Sequence, residues 1–423
     1  MIPEPDGFLG TLLAIEGISD ARAVINGPNG CRGHPAYLSD NLFSRDNSLS
    51  ERNYKDRFFF GQSRIPCTFL DSDDYIYGSG IKIREILPLV AKKGDTLLAI
   101  INSPGASLIG DDLTGFIKEA DLEDTCMGIG QAFYSKPFHQ GFDETIRSVL
   151  EWLHLNHLPK SKAGVNLLGL SIMHKYWEGS LDELTRLCEL MGLFVISAPG
   201  AGSSVPMLRE SVTASYNICV FPEYSQKTAD FYRNQFGIET IRSPSGAPVG
   251  FDATEEWIKT IARVTGSDPG RALEEIALKR KRAYQKISRS YLEVAALKGS
   301  SFSVKADASF ALPLSRWLYH YLGMLPVSIR VPETGSIEEH VPAFLPEQHL
   351  EEILKINPEE LDHDICFSDR LFGKHLVLSG RCKACIEISE RMSPETEFIR
   401  KTYLGGEGAL YLLENIFDCI EYL

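Results

Sequence analysis

The sequence predicts an α/β protein built of three Rossmann-like units, each with a mainly parallel sheet. Short continuous apolar runs, the composition of strands covered on both faces, alternate with stretches of helical spacing. At 423 residues the chain is too long for one compact core and has the length of about three ordinary α/β units. The expected units are residues 1–157, 158–298 and 299–423.

In the first unit the apolar run Ala21-Arg22-Ala23-Val24-Ile25-Asn26 stops at Gly27-Pro28-Asn29-Gly30, a turn cluster expected to place Cys31 at the tip of a tight loop. Flanking glycines let a thiolate approach a metal or cluster, and Arg32 beside it is expected to favour the ionised form. The competing reading is an ordinary strand-to-helix loop with an incidental cysteine. A polar stretch runs from Asp40 to Lys55, after which Phe58-Phe59-Phe60 and Ile65-Pro66-Cys67-Thr68 return the chain to the core. Gly80 to Lys93 has helical spacing, and Thr96 to Ile101 reads as a fully buried parallel strand. Asn102-Ser103-Pro104-Gly105 turns out of that strand, and Gly110-Asp111-Asp112-Leu113 opens an acid-capped helix to Ala120. A helix over about 142–156 closes the unit, with 158–164 as a linker.

The second unit alternates strands at Val165–Leu170, Leu193–Ser197 and Tyr216–Phe221 with helices at Leu181–Met191, Val205–Ser215 and Ser225–Phe236. One long amphipathic helix is expected from Asp268-Pro269-Gly270 to about Leu297. The third unit opens with a strand at 301–307 and a helix at Phe310–Leu322. Strands follow at Val327–Val331 and Ile386–Ile388 with a helix near His349–Ile356 between them, and Leu404-Gly405-Gly406-Glu407-Gly408 leads into a C-terminal helix.

A net charge of −14 argues against nucleic acid as a partner, because a phosphate backbone demands a basic face. The first residues, Met1-Ile2-Pro3-Glu4-Pro5-Asp6, lack the basic and apolar regions of a signal peptide, and no apolar run reaches spanning length. A cytoplasmic protein without membrane association is expected. Nine scattered cysteines, an odd number, read as reduced thiols rather than a disulfide framework.

Several of these stretches together resemble nitrogenase component 1, the family of three-domain subunits that includes the dinitrogenase α and β chains, their scaffold homologues and the dark-operative tetrapyrrole reductases. Gly10-Thr11-Leu12-Leu13-Ala14-Ile15-Glu16-Gly17-Ile18 followed by Asn26-Gly27-Pro28-Asn29-Gly30-Cys31 resembles that family's start and its cluster-binding loop. Asp74-Tyr75-Ile76-Tyr77-Gly78-Ser79 and Leu108-Ile109-Gly110-Asp111-Asp112-Leu113 resemble its next two signatures. Lys305-Ala306-Asp307-Ala308-Ser309-Phe310 resembles the start of its third domain, and Gly405-Gly406-Glu407-Gly408-Ala409-Leu410 its C-terminal helix.

The resemblance implies an oxidoreductase subunit that receives electrons from a separate iron protein, with ATP bound only there, through an iron–sulfur cluster of the [4Fe-4S] kind at a subunit interface. It implies a homologous component 1 partner, in a homodimer, heterodimer or tetramer. Of the three cysteines the family's electron-transfer chains typically offer, this chain keeps Cys31; the first position falls near Asp6 and the third on Ser103 or Pro104. A partner chain bringing three ligands would leave one for Cys31, whereas a homodimer would need one further residue per chain. Cys67 and Cys126 are the candidates for it, with Asp6 behind them.

The family's cofactor-carrying chains use a Cys in the second domain and a His in the third. Cys219 lies out of register with the former and reads as core, and no His occurs between Arg391 and Leu423. His139 lies near a region that faces the family's active-site cavity, a candidate proton donor against the plainer reading of a surface-loop histidine. The substrate stays open among dinitrogen, a tetrapyrrole and a sulfur compound, and a scaffold for metallocofactor assembly is the alternative function.

Three further patterns carry weaker signals. Cys382-Lys383-Ala384-Cys385 is a lone CxxC with only Cys366, His363 or His375 nearby to complete a metal site. Pro199-Gly200-Ala201-Gly202-Ser203-Ser204 sits where parallel sheets bind ligands but lacks the dinucleotide fingerprint, and no Walker A motif occurs, so a plain turn is expected. Asp71, Asp73 and Asp74 read as a solvated or helix-capping cluster rather than a cation site.

Overall fold

A computed structural model describes residues 4–43, 64–92, 94–131, 133, 135–331, 347–389 and 397–422. Most of the polar stretch from Asp40 to Lys55, and Phe58-Phe59-Phe60, lie outside these residues. The first unit runs α1 (Gly7–Glu16), β1 (Ala21–Asn26), α2 (Gly30–Leu42), α3 (Ser72–Tyr77), α4 (Gly80–Ala91), β2 (Leu97–Asn102), α5 (Leu113–Glu119), β3 (Cys126–Ile129) and α6 (Phe138–Trp152). Its sheet has the order β1-β2-β3, all parallel, with Ala21 opposite Leu97 and Leu98 opposite Cys126. Strands that pack helices on both faces must be apolar throughout, which is why Leu97–Asn102 is buried along its whole length. β3 has four residues including a glycine, too short for its periodicity to register in the sequence.

The second unit contains β4 (Ser161–Leu168), α7 (Trp177–Leu190), β5 (Phe194–Ser197), α8 (Val205–Glu210), β6 (Ala214–Cys219), α9 (Gln226–Phe236), β7 (Glu239–Arg242), α10 (Gly250–Thr265), α11 (Gly270–Ile287) and α12 (Tyr291–Leu297). The sheet order is β5-β4-β6-β7, again parallel. Several expectations fail here: the helix expected at Val205–Ser215 ends at Glu210, with β6 already begun at Ala214, and β7 lies where no strand is expected. The linker at 158–164 gives its last residues to β4, because Ser161 pairs with Ala214 and the register shifts before Val165. The long helix breaks after Ile287, where the Ser288 hydroxyl turns back onto the Gln285 carbonyl at 3.3 Å.

The third unit holds β8 (Ser301–Lys305), α13 (Ala308–Trp317), β9 (Leu325–Arg330), α14 (Glu347–Lys355), β10 (His363–Ser368), α15 (Arg370–Leu378), β11 (Cys382–Glu387) and α16 (Gly405–Asp418). Its parallel sheet has the order β11-β10-β8-β9. α16 leaves this unit and packs on α7, α10 and α11. The Glu183 carboxylate of α7 accepts from the Gly406 and Glu407 N–H groups at 3.1 and 3.3 Å, satisfying the open end of α16 from the second unit. Among the described residues no helix is long and apolar enough to cross a membrane.

The glycine loop at 199–204 joins the first two units. Gly202 N–H donates to Gly17 O at 2.7 Å, Ser19 N–H to Ser203 O at 3.1 Å, and Val205 N–H to the Asp20 carboxylate at 2.7 Å. Ala198 N–H is taken by the Ser203 hydroxyl, also at 2.7 Å, so these amides are committed to the joint, not to a phosphate. The contact is close enough that a Cβ on Gly17 would lie 2.1 Å from the Gly200 carbonyl oxygen. Gly17→Ala is therefore expected to lower stability by about 1–3 kcal/mol in urea unfolding. Gly30→Ala, with no atom within 4 Å of the added methyl, should stay within about 0.5 kcal/mol of the parent. Equal midpoints for the two variants would show that the joint is looser than described.

Candidate functional site

The site of interest in the first unit begins with a buried polar knot at the C-terminal ends of β1 and β2. Asn26 Nδ2 donates to Asn102 Oδ1 at 2.9 Å and to Ser79 Oγ at 3.0 Å, while Thr68 Oγ1 donates to Asn26 Oδ1 at 2.9 Å. Ser79 in turn donates to Asp111 at 2.5 Å. Every partner is buried or half-buried, so each bond removed leaves an unsatisfied group behind. The knot fixes where the loops diverge, the edge at which parallel sheets bind ligands.

Cys31 lies just beyond it. The structure puts this residue one position inside α2 rather than at a loop tip, with Asn29 as the N-cap making no side-chain capping bond. Its thiol hydrogen-bonds the Ser103 side chain and is partly exposed. Ser103 is held there by its own N–H, which donates to Asn26 O at 2.9 Å. Asp6 caps α1 through Leu9 N–H at 2.9 Å, and its charge reaches Cys31. Cys67 runs beside β1 through the bridge to Ile25, donates its thiol to Gly27 O at 2.9 Å, accepts from Phe69 N–H at 3.3 Å, and feels the charge of Cys31. The structure thus brings together Asp6, Cys31, Cys67 and Ser103.

The electrostatics differ from the expectation for Arg32. Burial pushes the Cys31 thiol above its ordinary value, the Ser103 hydrogen bond opposing and the Asp6 charge adding to it. The Arg32 guanidinium instead favours ionisation of Cys67, whose thiol burial otherwise raises, and lies 5.3 Å from the Phe69 ring centroid. Around this group Tyr77 and Leu108 are 84% and 87% exposed, with Phe69 and Ile76 also open. A fringe of large apolar side chains on segments bounding one polar centre is the composition of a contact surface.

Cys126 is elsewhere. It is the first residue of β3, opposite Leu98, so it lies at the other edge of the sheet, packed with Val24, Ile83 and Leu87. Burial pushes its thiol up to about 12. The Asp71 carboxylate accepts from the Asp73 and Asp74 N–H groups in a capping box on α3, and Lys82 pairs with Asp71 and Asp74 at 2.8 and 2.5 Å. Cys366, Cys382 and Cys385 gather around β10 and β11, while His375 is exposed near Glu359 at 3.6 Å. Among the described residues no group of three or more His, Cys, Asp or Glu is arranged to hold a metal ion by itself.

A second locus lies where the C-terminal ends of β4 and β6 face those of β8 and β11. A cavity of about 30 Å³ is lined there by His174, Lys175, Phe221, Asp307, Ser389 and Tyr403, among others. The His174 ring stacks on Phe221 at 4.3 Å, and its Nδ1 accepts from Ser171 N–H at 3.0 Å. That bond assigns the neutral tautomer with hydrogen on Nε2, which is buried without a partner among the described residues. Burial holds this imidazole down at about 3. Lys175 pairs with Glu387 at 2.6 Å across the two units. Tyr224 donates to Asp307 at 3.0 Å and has His139 and His174 against its ring at 5.9 and 4.6 Å, so all three units meet on one side chain.

His139 is not on a surface loop. It occupies the first turn of α6, buried, and burial lowers it to about 4, so it is neutral near pH 7. Cys219 ends β6, with Sγ 3.4 Å from Ser225 Oγ, and burial raises it to about 11, consistent with the core reading. Sequence reasoning passed over His174 and Tyr224. The available signal was position alone: His174 follows the end of β4, and Asp307 ends the β8 segment, where doubly wound sheets place ligand-facing residues.

Residues 7–417 match the family model described as nitrogenase component 1 type oxidoreductase. One of the subunits of the light-independent protochlorophyllide reductase of Halorhodospira halophila is 24% identical over 243 residues, 53% of this chain and 45% of that protein. Its counterpart from Rippkaea orientalis is 22% identical over 333 residues, 75% of this chain and 61% of that protein. The chain thus spans less than two thirds of the length of either relative. In three dimensions it is similar to nitrogenase Cp1 solved at pH 6.5, with a TM-score of 0.74 at 16% identity, covering 100% of this chain and 93% of that one.

Both buried imidazoles set a pH dependence. Their folded values lie below the unfolded one of about 6.5, so below that pH the unfolded state binds more protons and stability falls as pH drops. Each contributes a slope of about 1.4 kcal/mol per pH unit until its folded value is reached. His139→Gln is expected to make the urea unfolding free energy fall less steeply between about pH 6 and 4.5 than it does in the parent; identical slopes would contradict the assignment.

Proposed function

This chain belongs to the nitrogenase component 1 type oxidoreductases, and from that premise we propose that it is the cluster-holding subunit of a multi-subunit reductase, fed with electrons by a separate ATP-hydrolysing iron protein. The convergence of half-buried Asp6 and Cys31 with buried Cys67 and Ser103, beneath a surface fringed by apolar side chains, carries this reading. Two thiols and a carboxylate suit a sulfur-ligated cluster, and an incomplete set within one chain suits a centre whose remaining ligands come from a second chain of the same family, a copy or a homologue. Cys31 and Cys67 would be this chain's ligands, with Asp6 next in line. When bound, an iron–sulfur cluster of the [4Fe-4S] kind carries single electrons between protein partners.

The rest is the work of this chain's own groups. Phe69, Ile76, Tyr77 and Leu108 offer the apolar contact area for the partner. Arg32 offsets negative charge near Cys67, and the Asn26 knot keeps Cys31 and Cys67 in fixed relation. In the interdomain cavity the His174 Nε2–H, which no described residue accepts from, faces a space of about 30 Å³ that suits a single water, and the Lys175–Glu387 pair ties the two walls together. A cytoplasmic setting follows for a subunit that must meet a soluble iron protein.

Both thiols are held protonated by burial, so cluster assembly must expel their protons and is expected to strengthen as pH rises toward their values. Cys31→Ala and Cys67→Ala, purified anaerobically with their partner, should each lose most of the iron and the EPR signal of the parent complex. Unchanged iron in Cys31→Ala would overturn the proposal. Substrate reduction with the iron protein and ATP supports an oxidoreductase, whereas a cofactor transferred to another apoprotein without turnover would make the chain a scaffold.

A further inference from the structure

We propose that Cys366 and Cys385 form a dithiol that exchanges with small soluble disulfides of the glutathione class and closes to an intramolecular disulfide, a redox-modification site separate from the Cys31 surface. The two residues are direct register partners on the neighbouring parallel strands β10 and β11. Neighbouring strands lie about 4.8 Å apart, and a disulfide accommodates Cα separations of about 4.4–6.8 Å, so closure needs side-chain rotation rather than backbone movement. The thiols hydrogen-bond each other, and Ser368 Oγ lies 3.3 Å from Cys366 Sγ and 3.7 Å from Cys385 Sγ. His363 and Ser303 also reach Cys366, and they hydrogen-bond each other at 2.8 Å.

The helix packed above is shaped around the sulfur. A Cβ on Gly373 of α15 would fall 1.8 Å from Cys385 Sγ, so the thiol occupies the space a side chain there would take. Cys366 is fully buried, whereas residue Cys385 is partly exposed on the edge strand β11 with its sulfur packed against Gly373, so Cys385 is the outer member of the pair. The hydrogen bond between them favours ionisation of the Cys366 thiol and disfavours that of Cys385, so the two sulfurs titrate as a pair.

The exchange balances as follows. From the form with the Cys366 sulfur ionised, the Cys385 proton passes to Cys366 as the Cys385 sulfur attacks one sulfur of the small disulfide, breaking its S–S bond, forming a mixed disulfide and releasing one thiolate. That thiolate takes the proton from Cys366 and leaves as a thiol. The Cys366 thiolate then attacks the Cys385 sulfur, the protein S–S bond forms, and the second small thiolate leaves. Two electrons pass from the protein dithiol to the small disulfide, which departs as one thiol and one thiolate.

Full-length protein equilibrated at a series of reduced-to-oxidised glutathione ratios, acid-quenched, unfolded in denaturant containing a thiol alkylator and mapped by peptide mass spectrometry, tests this. The expected result is joint loss of alkylation at residues 366 and 385 with a linked peptide pair, undisturbed in Cys382→Ser. Cys366→Ser should accumulate the glutathione adduct on Cys385, for want of the resolving thiol, and Cys385→Ser should form neither link nor adduct at these positions. Independent alkylation of both residues at every ratio in the parent, or a linked pair involving Cys382 instead, would overturn the proposal without bearing on Cys31. The parent measurement decides even if a variant fails to fold.

Discussion

The amide-to-amide bond between Asn26 and Asn102 holds the candidate cluster surface in place. Two strand ends in a parallel sheet could diverge by any loop, and the chemistry of this site requires that residues from four separate segments arrive together. Burying two carboxamides costs free energy unless each finds partners; Thr68 and Ser79 supply them to Asn26, and the Gly130 carbonyl accepts from Asn102 Nδ2 at 3.4 Å. Thr68 is one residue from Cys67, and Ser103 follows Asn102, so satisfying the knot also delivers a thiol and a hydroxyl to Cys31. The site is therefore a by-product of a requirement the fold must meet anyway.

A second constraint joins the units. Tyr224 packs against His139 from the first unit and His174 from the second while donating to Asp307 of the third. Aromatic burial and one charge-assisted hydrogen bond act on the same side chain, so the units cannot separate without exposing a large apolar ring and an acid together. His174 is left with a buried Nε2–H that no described residue accepts from. An orphaned donor at the facing ends of two parallel sheets is a cost that a single water in the 30 Å³ cavity can relieve. This ties the geometry of the joint to the pocket it encloses.

Much of the architecture was legible because buried parallel strands are written as continuous apolar runs: 97–102 and the strands β4, β5 and β6 of the second unit appeared within a few residues of their observed bounds. β3, β7 and β10 were not, since four to six residues interrupted by glycine, charge or histidine carry too little periodicity. Cys31 was legible from its glycine-rich surroundings and from the family resemblance. The distinction between Cys67 and Cys126 was not, because it depends on which edge of the sheet each residue occupies. Arg32 misled for a related reason: adjacency along the chain does not say which thiol a guanidinium faces once a helix begins. His139 was misplaced on a surface loop because the pairing of Asp6 with Pro137 and the packing of α6 on α1 are long-range.

The central claim is that sulfurs of this chain meet a metal centre where two polypeptides touch. Anomalous diffraction at the iron edge from anaerobically crystallised complex tests it most directly. The account predicts iron density within bonding distance of the Cys31 and Cys67 sulfurs, on the side facing a second chain. Iron found elsewhere, with both sulfurs free of it, would contradict the account.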